Sequence, residues 1–170
     1  MSCLPKSLPC PARNPPAQVG LIIGAAIALH LTVWLCLPLA LEGSIRLDVA
    51  EHVLQGREWL LTYPKQPPLS MWLVALASEL GPARYVAVYL LGLLLALFGL
   101  LCAALLLLCQ KGWSTAALAV FIGLASPFLT YVPIELNHNI GVMPFWGLAV
   151  AAGFFAFERE IGRASCRERV

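Results

Sequence analysis

The side chains able to do chemistry crowd into one stretch, Arg46 to Pro68, RLDVAEHVLQGREWLLTYPKQPP. It holds Asp48, Glu51, His52, Arg57, Glu58 and Lys65 and closes on a proline pair, in a chain that is otherwise mostly apolar. Asp48 is the most pointed of them. It follows the end of an apolar run by seven residues, so its carboxylate is held beside lipid headgroups, partly desolvated, where it can take a proton from a hydroxyl group. The plain alternative is a solvated acid at an interface. Glu51 follows by about one turn and could share a cation with Asp48, but two carboxylates and His52 make a weak ligand set, and no metal or other cofactor is indicated. Lys65 sits between Tyr63-Pro64 and Gln66-Pro67-Pro68. Proline on both sides fixes where its ammonium points, as a departing phosphate at a membrane surface would need; alone, the residue reads equally well as a lysine snorkelling to the interface. Arg84 opens the next apolar run and can join Lys65 around a phosphate or serve only as a topology anchor. Asn137, His138 and Asn139 form a second polar cluster, suited to hydrogen-bonding a sugar or, more plainly, to capping a helix.

The chain that must position these groups is lipid-soluble. Of its 170 residues 60% are hydrophobic and 12% charged, against about 25% charged in a soluble domain. Several uncharged runs reach or approach the roughly 20 residues that cross a bilayer, so the composition predicts an integral membrane protein. A net charge of +2 is too small to point to nucleic acid. Six cysteines occur without a C-x-x-C pair, and three lie in apolar runs where cysteine acts as a small hydrophobe; neither a disulfide framework nor a zinc site is expected.

In chain order, residues 1–18 read as a cytoplasmic, Pro-rich N-terminus, too rich in proline for a helix. Residues 19–41 are a first span, read as an uncleaved anchor because the apolar run is too long for a signal peptide, with Pro38 kinking its outer end. Residues 42–84 form an outer loop. Ser44 is placed to cap a helix over about 45–61, with apolar residues at 45, 49, 53 and 60 on one side and Asp48, Glu51, His52, Gln55 and Glu58 on the other, a pattern that lies in the interface plane. Trp59 and Tyr63 supply aromatic anchors. Residues 67–80 are short for a span and fit a second interfacial or re-entrant helix. Spans then follow at about 85–109, 113–132 and 140–157, and this arrangement leaves Lys6, Arg13, Lys111 and Arg159 on one side, as the positive-inside bias requires. His30 falls mid-span, where it reads as a packing residue bonded between helices. The loop at 133–139 then emerges on the same face as Arg46–Pro68. Residues 160–170, EIGRASCRERV, resemble the translation of a sequencing-adapter DNA and read as a scar; on that expectation the natural protein continues beyond Arg159. The fold class expected is an all-α polytopic membrane protein of about four spans and two interfacial helices, with no internal repeat or GxxxG motif.

These residues carry a resemblance. A first span, L-D-x-A-E at 47–51, Y-P-K-Q-P-P-L-x-x-W-L at 63–73, a short helix and an Arg-led span resemble the N-terminal part of GT-C glycosyltransferases. The nearest branch is the family-39 type, which includes protein O-mannosyltransferases and the lipid A aminoarabinose transferase. N-H-N-I-G-V-M-P-F-W at 137–146 is similar to the start of that family's fourth span, and the likeness covers roughly Val19 to Arg159. It implies a partial GT-C fold and an enzyme of the bacterial inner membrane, working on its outer, periplasmic face. The donor would be a polyprenyl-phosphate-linked sugar and the acceptor a lipid, glycan or protein. Asp48 would deprotonate the acceptor hydroxyl, with inversion at the anomeric carbon. Lys65 and Arg84 would stabilise the departing lipid phosphate, and Glu51, Tyr63, Asn137, His138 and Asn139 would border the substrates. The chain departs from the pattern at Val49, where many members carry Glu, and at Lys65-Gln66, where some have Glu-Lys; members are also much longer. Without the resemblance, the same polar loop on a non-enzymatic scaffold or transporter fragment would only set topology.

Overall fold

The computed structural model describes residues 17–41, 45–64, 67–80 and 84–167, the last segment with side chains over 85–158. The helices, in chain order, are α1 (Ala17–Leu41), α2 (Leu47–Gly56), α3 (Pro68–Ser78), α4 (Arg84–Lys111), α5 (Trp113–Leu124), α6 (Val132–Glu135) and α7 (His138–Arg167), and there is no strand among the described residues. Among the described residues three helices, α1, α4 and α7, are long and apolar enough to cross a membrane. With 25 and 28 residues, α1 and α4 run about 37 and 42 Å, beyond the roughly 30 Å of a hydrocarbon core. That composition is compatible with an integral membrane protein.

The long helix α4 is the post on which the others lean, and contacts along it give their directions. Near its C-terminal end Ala104 and Leu108 border a crevice with Ile23 of α1 and Trp113 and Ala116 of α5. Midway, Ala96 and Leu97 are buried with Val120, Leu124, Leu129 and Ile140, against Ile27 and Leu31. Near its start Val88 and Tyr89 are buried with Val49, Val74, Ala77, Ile134 and Leu136, against Trp34 and Leu35. The order of these partners makes α1 and α5 antiparallel to α4. Met143 beside Gly99, and then Gly147 beside Cys102, make α7 parallel to it. Short α3 starts on proline, tolerated at a first helical position because its missing N–H would have no partner there; it lies between α2, the start of α4 and the start of α7. At 11 residues it is no span, in keeping with the expected surface or re-entrant helix.

The run expected to span at 113–132 is not one helix. α5 stops at Leu124 after 12 residues, about 18 Å, and 125–131 form turns before the short α6. The break falls at Ser126-Pro127: proline disfavours helix in the residue before it and has no N–H to give. The freed polar groups are satisfied locally. Ser126 N–H donates to Gly123 O (2.9 Å), Leu129 N–H to Ser126 O (3.0 Å), Phe128 N–H to Ser126 Oγ (3.3 Å) and Thr130 Oγ1–H to Pro127 O (3.3 Å). The buried Leu129 carbonyl accepts from His30 Nε2–H at 2.6 Å, reaching across from the middle of α1. Irregular backbone that is buried survives only when protein supplies its partners. His30 is thus bonded between segments, as its mid-span position predicts. His30→Leu leaves that carbonyl without a donor and costs about 1–2 kcal/mol; thermal unfolding in detergent measures it, with Thr32→Val, whose hydroxyl only bonds back to Ala28 O within α1, as the mild comparison.

Other expectations shift. The first surface helix is shorter than 45–61, running 47–56 with Arg46 as its N-cap and no side-chain cap; Ser44, expected as the cap, lies outside the described residues. α1 continues as helix through Pro38 to Leu41. The last span is part of a helix that runs on to Arg167, so the expected scar at 160–170 is helical over most of its length. Cys109 is disulfide-bonded. Cys36 and Cys102 are free.

Candidate functional site

The site is built on α2. Its buried stripe is Val49, His52 and Gly56, set by a close approach to α3: a Cβ on Gly56 would overlap the Met71 carbonyl and meet Ala75. That contact rotates His52 inward, correcting its placement with the polar residues; its side chain is fully buried. Nδ1–H donates to the Asp48 carbonyl at 2.6 Å, which fixes the tautomer and offsets part of the desolvation. Nε2 has no partner among the described residues, nor does Nε1 of Trp72 in α3. Trp72 also stacks obliquely on Trp59 (ring centroids 6.1 Å apart), whose backbone takes a positive φ of 50° just beyond α2.

The rotation that buries His52 leaves Asp48, Glu51 and Gln55 half-buried on another side of α2. Asp48 lies in the first turn, where unpaired backbone N–H groups favour a negative charge. Among the described residues no side chain holds its carboxylate. Glu51 accepts from Gln55 Nε2–H at 3.0 Å. Tyr63 turns its hydroxyl oxygen back onto the Leu60 N–H at 3.0 Å, closing the loop after α2. Lys65 lies outside the described residues. Arg84 starts the backbone of α4, with its side chain likewise outside them.

The second cluster stands at the same end of the bundle. Leu136, fully buried with a positive φ of 42°, ends α6. A left-handed leucine is a strained conformation that packing must hold; here it turns the chain directly into Asn137. Asn137 Oδ1 accepts the N–H groups of Asn139 (3.1 Å) and Ile140 (3.3 Å), so Asn137 caps α7, the plainer of its two expected roles. His138 is half-buried and Asn139 exposed. The two polar clusters are joined by residues that sequence reading passed over. Arg46, the N-cap of α2, donates Nη1–H to Glu135 Oε1 at 2.8 Å, an ion pair between positions 89 apart with both side chains about one-third exposed (35% and 32%). The signal was present: an arginine and the one acid of the second cluster, in two loops already assigned to one face. In a double-mutant cycle with Arg46→Ala and Glu135→Ala, the pair should show a coupling of about 0.5–1 kcal/mol.

Among the described residues no three His, Cys, Asp or Glu side chains gather as a metal site. The arrangement therefore offers one unheld carboxylate at a helix start, hydroxyl and amide groups nearby in sequence, and a cross-link to a second polar turn. Comparisons with protein-family models, curated proteins and solved structures found no match to this chain.

Proposed function

We propose that this chain is the N-terminal part of a membrane glycosyltransferase that moves a sugar from a polyprenyl-phosphate donor to a hydroxyl of a lipid, glycan or protein acceptor. The observation that carries the reading is the convergence of the α2 start, bearing Asp48, with the 135–139 turn, tied by Arg46–Glu135 at 2.8 Å. The sequence resemblance at 47–51 and 63–73 supplies the chemistry. Asp48 takes the proton from the acceptor oxygen as that oxygen attacks the anomeric carbon from the face opposite the phosphate. Lys65 and Arg84 balance the charge left on the departing lipid phosphate. Glu51, Tyr63, His138 and Asn139 border the acceptor or the sugar, while Asn137 sets the start of α7. In this reading α5, the 125–131 turns and α6 together make one broken passage, giving four passages of a partial GT-C fold. The site then faces the outer side of the bacterial inner membrane.

A second reading has its own support. Arg46, Glu135, Arg57, Glu79 and Asn137 all spend polar groups on ion pairs or a cap, as a scaffold or transporter fragment with a purely structural loop would. A transfer assay decides between them. Membranes carrying the full-length protein and a radiolabelled polyprenyl-phosphate sugar should move label to an acceptor, and Lys65→Ala should slow that movement. Transfer indifferent to both Asp48 and Lys65 removes the enzyme reading of this loop.

A further inference from the structure

The face of α2 turned away from Asp48 borders a cavity of about 260 Å³ between α2, the end of α3 and the start of α4. Its wall is apolar where Ala50, Val53 and Leu54 meet it, and Arg57, Ser78 and Tyr85 add polar atoms. At 100° per residue, positions 50, 53, 54 and 57 occupy one side of the helix and 48, 51 and 55 the other, so this cavity opens on the side of α2 away from Asp48, with Ile45 and Tyr85 completing its lining. It is smaller than the roughly 300–1,000 Å³ clefts that enclose a drug-sized ligand, and so takes a segment of chain rather than a whole molecule. Its place fits lipid: Tyr85 stands in the first turn of α4, a helix long and apolar enough to cross a membrane, and the end of such a helix belongs at the rim of the hydrocarbon layer. Leu54, which lines it, is 68% exposed and carries the apolar wall outward.

The charges at the rim narrow the occupant. Arg57 Nη2–H donates to Glu79 Oε1 at 3.0 Å, with side chains 51% and 66% exposed. So exposed a pair contributes little and exchanges partners readily. An anion on Arg57 alone would sit beside the Glu79 carboxylate, and a cation on Glu79 alone beside the guanidinium. A head carrying both signs satisfies both residues. A primary ammonium can also donate hydrogen bonds to Glu79, which a quaternary ammonium cannot. From this geometry we propose that the cavity binds a membrane phospholipid with a phosphoethanolamine head: phosphate on Arg57, ammonium on Glu79, and one acyl segment against Val53 and Leu54. The site requires the membrane setting but not the enzyme activity.

The test offers the 170-residue chain vesicles of equal parts phosphatidylethanolamine, phosphatidylglycerol and phosphatidylcholine with identical acyl chains, then counts retained lipids by native mass spectrometry. The wild type should keep phosphatidylethanolamine over each of the others by about three- to fivefold, the scale of two exposed ionic contacts. Arg57→Gln and Glu79→Gln should each erase that preference, and the swapped pair Arg57→Glu with Glu79→Arg should restore it. Ala50→Phe fills the cavity and should lower retention of all three lipids, with circular dichroism checking that helicity persists. Equal retention in the wild type, a preference for phosphatidylglycerol, or a preference that survives either glutamine variant overturns the proposal.

Discussion

Asp48→Asn in the full-length protein should lower sugar transfer by about 10²–10⁴-fold, the range for loss of a positioned general base, with insertion and helicity intact. The substitution preserves size and removes only the proton acceptor. Its folding cost is small because the carboxylate has no side-chain partner to lose among the described residues. What it gives up is the attraction between a negative charge and the start of α2, about 0.3–1 kcal/mol, far below the roughly 3–5 kcal/mol of barrier that the rate loss represents. The contrast with Glu51→Gln sharpens the assignment. Glu51 already accepts from Gln55 at 3.0 Å, so its change should disturb local order as much as chemistry and leave more of the activity. Full transfer by the Asp48→Asn protein would leave Asp48 as an interfacial acid and return the loop to a structural role.

Legibility from sequence followed the range of the interaction concerned. The long helices α1, α4 and α7 were readable because twenty or more apolar residues have one stable answer in a bilayer. The short α3 was readable from its proline start and its length, and the alternation of α1, α4 and α5 from where Lys6, Arg13 and Lys111 fall. The break in the 113–132 run was missed although Ser126-Pro127 announced it, because hydropathy averaged over a window treats proline as one weakly polar residue and ignores its lost N–H. Residue type alone puts His52 on the polar side, whereas the close α2–α3 contact at Gly56 and Met71 decides the rotation of the helix. The Arg46–Glu135 pair depends on a turn 89 residues away, ended by a left-handed Leu136. No local pattern encodes that conformation for leucine; packing imposes it.

Gly92→Ala should destabilise the protein by about 1–3 kcal/mol, the usual cost of overpacking, although alanine is the better helix former by about 1 kcal/mol. Gly92 lies in α4, and a Cβ there would overlap the Pro133 carbonyl and press on Leu136 Cδ1 at 3.3 Å. The neighbour is backbone, pinned by the Leu136 N–H to Pro133 O bond (3.1 Å) and by full burial of Leu136, so it cannot swing aside as a flexible side-chain end would. Relief must come from moving α6 away from α4. That motion carries Glu135 off Arg46 and shifts the Asn137 cap of α7, so the same methyl group should also weaken the Arg46–Glu135 coupling measured by double-mutant cycle. Gly153→Ala supplies the opposite sign within the same protein: nothing lies within 4 Å of its Cβ, so helix propensity alone should act and stability should hold or rise. Thermal unfolding of the two variants in one detergent reads the difference. If Gly92→Ala proves as benign as Gly153→Ala, α6 is not seated on α4 as described, and the route by which the second polar cluster reaches Arg46 fails with it.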